Sequence, residues 1–140
     1  MAIRSPSTAR GAHWAAAYIG RPYVPGAFDC GDLLELVTRE VFGRAVPVPR
    51  DRPASRRSAG YQAVIARGLA DLAQRVEVPA EGDIVQMVGA GRPNHVGVAV
   101  LLGGEVWVLH AAIRARQVVL HRVRDLESHG LAVEGFYRWI

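Results

Sequence analysis

The only cysteine of this chain, Cys30, occupies a position where a thiol can act as a nucleophile. It follows a turn rich in proline and glycine, Tyr23-Val24-Pro25-Gly26, and precedes a run with helical apolar spacing from Leu33 to Val41. Asp32 suits the first turn of a helix as an acid or a cap, so we expect Cys30 at or just before a helix N-terminus. Unpaired backbone N–H groups and the helix dipole favour a thiolate there. A lone cysteine is also commonly a small buried apolar residue, so its role depends on other residues.

Two histidines flank a predicted β-hairpin. His95 begins one apolar strand and His110 ends the next, and Gly103-Gly104 between them suits a two-residue turn. With that turn His110 lies diagonal to His95 on the neighbouring strand, and a turn one residue earlier places the two directly opposite. Either turn puts both imidazoles on one face of the sheet. Gly97 and Ala99 share that face and are small, so we expect the cysteine helix to pack over them.

These three residues suit a Cys-His-His arrangement. Cys30 would be the nucleophile, His95 the general base that takes its proton, and His110 the residue that orients His95 through its second ring nitrogen. A backbone N–H of Cys30 or Gly31 could donate to a developing oxyanion. One cysteine and two histidines could also bind zinc, although the chain has no short ligand pair such as Cys-x-x-Cys. The remaining histidines fit neither pattern and are interpreted as structural or surface residues: His13, His121 and His129.

The surrounding pattern predicts helices first and strands afterwards. Helices are expected over residues 12–19, 30–42 and 60–74, with a loop rich in proline and arginine over 44–58 and another loop over 89–94. About five strands follow Val76, predicted at 84–88, 95–101, 106–110, 117–123 and 132–139. Helices followed by hairpin-connected strands indicate an α+β domain in which N-terminal helices pack on an antiparallel sheet.

Composition limits the possible functions. The 140 residues suit a single domain, 1–140, and the hydrophobic half of the chain is enough for a core. One cysteine excludes an internal disulfide, and we find neither a signal peptide nor a membrane span. The net charge of +4 would permit an anionic polymer as partner. The arginines of residues 44–57 are interpreted as a solvated loop near an anionic substrate, because no aromatic residue is interleaved among them as nucleic-acid binding would favour.

The chain resembles the NlpC-type cysteine peptidases, a papain-like family of peptidoglycan endopeptidases. Five pieces carry the resemblance in order: Ile19–Tyr23, Phe28-Asp29-Cys30, Pro79 with Gly82–Val85, His95–Val98, and Leu109-His110-Ala111. The compact form, which ends in Val133–Arg138, is similar to members encoded with phage and prophage tail proteins.

The resemblance implies hydrolysis of peptidoglycan stem peptides by a triad of Cys30, His95 and His110, without a metal or organic cofactor. It also implies that Tyr23 lies near the oxyanion or the substrate, and that Asp29 and position 31 help to hold the free amino end of a stem peptide. Gly31 replaces the serine common in the family, which predicts weaker selectivity for that free end. Phage tail proteins are the expected partners, and a protein made in the cytoplasm would be carried to the cell wall in a phage or phage-like particle.

Two alternatives remain open at this level. A related thiol amidase or acyltransferase would use the same triad on another amide or ester. A non-catalytic module that binds a phage tail or the cell wall would keep the fold and would have no need of a reactive Cys30.

Overall fold

A computed structural model describes residues 13–45, 71–89 and 92–140. The described elements, in chain order, are a 3-10 helix Trp14–Ala17, α1 Cys30–Glu40, β1 Ala73–Val76, β2 Ile84–Gly89, β3 Arg92–Leu102, β4 Glu105–Ala112, β5 Gln117–Arg122, a 3-10 helix Val123–His129, and β6 Leu131–Trp139. The strands form one sheet in the order β1-β6-β2-β3-β4-β5, and every neighbouring pair is antiparallel. The predicted α+β class is therefore confirmed.

The strand β1 differs from the sequence prediction. Ala73 and Gln74 were expected to end a helix, but they pair with Trp139 and Arg138 of the last strand. Extended pairing with β6 overrides the weak helical pattern here, and the described sheet consequently has six strands. The rest of that predicted helix, up to residue 70, lies outside the described residues, as does the arginine-rich loop beyond Ala45.

The strand β3 is also longer than predicted. Residues 92–94 were assigned to a loop, whereas Arg92 and Pro93 pair with Gly89 and Val88 of β2. Pro93 is accommodated because the register shifts at this end of the strand.

The helix α1 packs on one face of the sheet. Its buried side chains, including Leu33 and Val37, share a core cluster with the even-numbered valines of β3, which are Val96, Val98 and Val100. The expectation that α1 lies over Gly97 and Ala99 is therefore wrong. The valines of β3 present the larger apolar surface, and burial of that surface is what holds a helix against a sheet.

The opposite face of the sheet carries a second, smaller cluster. Ala99 and Val108 lie there together with Met87 and with Leu126 of the second 3-10 helix. This 3-10 helix was not expected from the sequence, and it packs where the cysteine helix had been predicted.

An ion pair joins the buried Asp83, just before β2, to the exposed Arg138 at the end of β6. Arg138 donates from Nε to Asp83 Oδ1 at 2.9 Å and from a guanidinium nitrogen to Asp83 Oδ2 at 2.7 Å, while the Ala80 amide donates to Oδ2 at 2.6 Å. Because Asp83 is only 3% exposed, these donors compensate the cost of burying its charge.

None of the helices in the described part of the chain is long and apolar enough to cross a membrane.

Candidate active site

A tight turn delivers the chain to Cys30. The Ala27 amide donates to the carbonyl oxygen of Val24 at 2.9 Å, and Gly26 has a φ of +77°. Pro25 at the second position and glycine with positive φ at the third are the residues that a type II turn requires. The bridge between Val24 and Phe28 closes the turn, so the chain reverses direction just before the helix.

A capping box fixes the start of α1 at Cys30. Asp29 Oδ1 accepts hydrogen bonds from the amides of Gly31 at 3.0 Å and Asp32 at 3.2 Å, and Asp32 Oδ2 accepts from the Asp29 amide at 2.9 Å. The predicted position of Cys30 at a helix N-terminus is confirmed. The Gly31 amide is engaged with Asp29, and the role of a Cys30 or Gly31 amide as an oxyanion donor stays a prediction.

The thiol of Cys30 is fully buried. Its side chain is 0% exposed and belongs to the core cluster that also contains Val96 and Ala111. Those two residues directly follow His95 and His110 in the chain, so the core cluster of α1 includes the strands that carry both histidines. Because side chains alternate along a strand, the two histidines themselves lie on the other face, together with Met87 and Gly97.

The two histidines form a buried hydrogen bond. Pairing of Leu102 with Glu105 makes Gly103-Gly104 the two-residue turn of the hairpin, and the alternative turn one residue earlier is wrong. His110 consequently lies diagonal to His95, and His95 Nε2 is 2.8 Å from His110 Nδ1. The rings meet edge to face at 77°, and their exposed fractions are 2% for His95 and 0% for His110.

A β-bulge lies immediately before His95. Met87 pairs with His95 but Val88 pairs with Pro93, so Asn94 is an extra residue in β3. A bulge bends its strand and re-aims the neighbouring side chain, and such bulges are frequent beside active sites. On the adjacent strand, the side-chain Nε2 of Gln86 donates to the carbonyl oxygen of His95 at 3.4 Å and helps to hold this backbone.

The histidine contacts continue beyond the predicted pair. His110 Nε2 is 3.1 Å from His121 Nδ1, and the His121 ring stacks on His129 with centroids 3.8 Å apart. His121 and His129, interpreted from the sequence as structural or surface residues, therefore extend the contacts of the predicted histidine pair. In the register of the β4–β5 hairpin His110 pairs with Val119, so His121 is diagonal to it on β5, and no turn signal in the sequence had indicated that register.

Burial lowers the pKa of His121. The nearby His129 lowers this pKa further, and Asp125 partly opposes both effects. His121 is half-buried, and His129 at the outer end of the four rings is exposed, so the contacts run from the interior to the surface.

By contrast, His13 has the structural role that was expected: its Nδ1 caps the first 3-10 helix at Ala15 N, and its Nε2 contacts Glu81.

The segment before the turn extends the sheet beside β5. Val118 and Gly20 are joined by a 2.9 Å hydrogen bond, and the Tyr23 amide donates to the carbonyl oxygen of Arg116 at 3.0 Å. The Tyr23 ring is half-buried and packs on the cluster that contains Cys30. Its role toward a substrate, like the substrate roles of Asp29 and Gly31, remains a prediction.

No set of three or more histidine, cysteine, aspartate or glutamate side chains within residues 13–45, 71–89 and 92–140 is arranged to hold a metal ion.

The fold and the site together define a class of protein. It is an α+β domain in which a cysteine begins a helix and paired histidines occupy adjacent strands of an antiparallel sheet. Among the solved structures that match this architecture is the NlpC/p60 domain of the peptidoglycan hydrolase SagA. Its TM-score is 0.52, with 26% sequence identity over 88% of this chain and 90% of that domain. No family model matches the chain, and no curated protein matches it significantly.

Proposed function

We propose that this protein is a cysteine peptidase that hydrolyses amide bonds in peptidoglycan stem peptides. The observation that carries the proposal is the similarity to the NlpC/p60 domain of a peptidoglycan hydrolase over 88% of the chain. The hydrogen bond between His95 and His110 and the position of Cys30 at a helix start support the assignment of roles. In that assignment Cys30 is the nucleophile, His95 the general base and His110 the residue that orients the base.

The proposed reaction requires that the Cys30 thiol reach His95. His95 Nδ1 takes the proton of the Cys30 thiol, and the thiolate attacks the amide carbonyl carbon. The Cys30 amide donates to the resulting oxyanion. Collapse of the tetrahedral intermediate breaks the C–N bond, and the proton held by His95 passes to the leaving amine. Water then attacks the thioester and loses a proton to His95, and the thiol is restored when the acid product departs.

The hydrogen bond to His110 decides which nitrogen of His95 can act as the base. Since Nε2 of His95 is the atom that faces His110 Nδ1, it is Nδ1 that would accept the proton of the thiol. A neutral His95 with its proton on Nε2 donates to His110, and this bond becomes charge-assisted when His95 is protonated.

Substrate recognition is proposed at the turn before the helix. Asp29, Gly31 and Tyr23 would contact the peptide near its free amino end. The Asp29 carboxylate already accepts two backbone hydrogen bonds, so recognition of an ammonium group would be combined with its capping role.

We propose that the protein cuts stem peptides within cross-linked wall and selects weakly for a free N-terminus. Turnover on intact sacculi should therefore match or exceed turnover on soluble tripeptides with a free L-alanine amine, and a strong preference for the tripeptides would contradict this proposal.

Digestion of purified sacculi tests the activity. Mass spectrometry of the soluble products should show cleaved stem peptides with the wild-type protein and none with Cys30→Ala. A matched control is Ala111→Ser, which changes a buried residue of the same cluster by one oxygen but removes no nucleophile. Loss of activity in Cys30→Ala alone supports the proposal, and intact sacculi with folded wild-type protein contradict it.

The complete burial of Cys30 favours a second candidate, a non-catalytic wall-binding module with the same fold. Reactivity of the thiol separates the two, because structural buried cysteines are inert whereas catalytic thiolates react in the folded state. Iodoacetamide should label native Cys30 with a profile that titrates below the roughly 8.5 of an ordinary thiol. Labelling that requires denaturation, together with cosedimentation of the protein with sacculi, would identify the binding module.

We also propose that phage or prophage tail proteins are partners of this chain and that a phage-like particle brings it to the cell wall. The ground for this proposal is the resemblance, drawn from the sequence, of the compact form of the chain to members encoded with phage and prophage tail proteins. Peptides of this protein should be found by mass spectrometry in purified particles from the host, and their absence from particles that contain all other tail proteins would contradict it.

A further inference from the structure

The structure contains a chain of imidazoles that is longer than the proposed triad requires. His95, His110 and His121 are linked by ring-to-ring contacts of 2.8 Å and 3.1 Å, and His129 stacks on the outer ring. Each link joins an Nε2 atom to an Nδ1 atom, always in the same order from the interior outward. A chain of this kind has only two self-consistent arrangements of its protons.

The two arrangements differ at the nitrogen that would act as the base. When the proton of each neutral ring is on Nε2, His95 donates to His110, His110 donates to His121, and His95 Nδ1 carries a lone pair. When the direction is reversed, His121 donates from Nδ1 to His110, His110 donates from Nδ1 to His95, and the proton of His95 is on its own Nδ1. Only the first arrangement allows His95 to take a proton from Cys30.

The charge of His121 selects between the arrangements. A neutral His121 can accept at Nδ1, whereas a protonated His121 has a hydrogen on both nitrogens and can only donate. Protonation of His121 therefore reverses both hydrogen bonds. The groups that face His121 are His110 from β4, together with Asp125 and His129 from the 3-10 helix that packs on this face.

We propose that His121 is a positioning residue that sets the direction of the histidine chain, so that the site is active only while His121 is neutral. The inference rests on the proposed function for its effect on catalysis, but the reversal itself does not depend on any activity. Burial and the neighbouring His129 both lower the pKa of His121, which keeps the ring neutral at neutral pH. The half-buried position of His121 lets it exchange protons with solvent more readily than the two inner rings.

The direct test is nitrogen-15 NMR of the histidine rings of the wild-type protein. We expect His110 to carry its proton on Nε2 above the titration of His121 and on Nδ1 below it. An unchanged tautomer of His110 through the titration of His121 would overturn the inference. This measurement is independent of hydrolysis, so an inactive protein would contradict the proposed function without affecting the outcome.

Opposite shifts from two neighbours provide a second test. Asp125→Asn removes the neighbour that raises the pKa of His121 and should move its titration to lower pH, whereas His129→Ala removes a neighbour that lowers this pKa and should move the titration to higher pH. The tautomer change of His110 should follow each shift. A change in His121 that His110 does not follow would overturn the inference.

Kinetics extend the test to the proposed reaction. His121→Phe removes the acceptor, and we expect kcat to fall by at least about tenfold, part of the roughly hundred- to ten-thousandfold that general-base catalysis supplies. His121→Asn keeps an acceptor without titrating, so it should recover most of that loss and extend activity to lower pH. His13→Asn, which alters a histidine in the separate capping site, should leave the fall of kcat at low pH as it is in wild type. The inference would be overturned if kcat, and its decrease at low pH, were the same in wild type, His121→Phe and His121→Asn.

Discussion

Replacement of Gly97 by alanine should damage both the sheet and the histidine pair. A Cβ atom at this position would lie 2.5 Å from Val108 Cγ2, 2.8 Å from the backbone oxygen of Leu109 and 3.0 Å from His110 Cβ. The Val108 methyl group belongs to a packed cluster, and the Leu109 oxygen belongs to a strand that is paired on both sides. Neither can retreat alone, so the two strands must separate.

These contacts set bounds on how far Gly97→Ala lowers the free energy of unfolding. Overpacking of a well-packed interior costs about 1–3 kcal/mol, and the backbone contact places Gly97→Ala at the upper part of this range, about 2 kcal/mol or more. For a domain of this size that corresponds to a decrease in Tm of roughly 6–10 °C. The displacement also acts on His110, whose ring contact with His95 is 2.8 Å and would be lost beyond about 3.5 Å.

Gly135→Ala is a matched control on another strand of the same sheet. A Cβ atom there would also meet atoms at 2.8 Å, but they belong to the exposed guanidinium group of Arg75, which can swing away. Urea denaturation should show a loss of about 2 kcal/mol for Gly97→Ala and less than about 1 kcal/mol for Gly135→Ala. Equal stabilities of the two variants would refute the reasoning about strand separation.

Four further outcomes are expected. Asp29→Ala should lower the free energy of unfolding by about 1 kcal/mol through loss of the helix cap, with recovery in Asp29→Ser, as measured by urea denaturation. Asp83→Asn should cost about 1–3 kcal/mol because its charge-assisted hydrogen bonds to β6 are lost, and an unchanged urea midpoint would contradict this. In assays on sacculi, His95→Ala should be nearly inactive and His110→Asn measurably active, because general-base catalysis raises the rate by a factor of about a hundred to ten thousand. The reverse ranking would exchange the roles of the two histidines. The pKa of His121 in the folded state is lowered from its ordinary 6.5, so the unfolded chain binds this proton more readily. The free energy of unfolding should therefore fall as pH decreases below about 6.5, and it should fall less in His121→Asn.

Local sequence was sufficient for the start of the cysteine helix and for the hairpin. Pro25 and Gly26 set the turn, and Asp29 and Asp32 are capping residues whose effect operates within a few positions of Cys30. Gly103-Gly104 predicted a two-residue turn, so the placement of the two histidines on one face followed from the chain alone. The structure then selected the diagonal register over the directly opposite one.

Only the tertiary structure decided which face the helix covers and how far the histidine contacts extend. Alternation along β3 places Gly97 and Val96 on opposite faces, but it does not say which face meets α1, because that depends on the area that each face buries. The link from His110 to His121 depends on the loop between β4 and β5, residues 113–116, whose length and positive φ at Arg116 set a register that no turn signal in the sequence had indicated. The strand β1 was likewise hidden, since Ala73–Val76 is extended only because β6, more than fifty residues later, pairs with it.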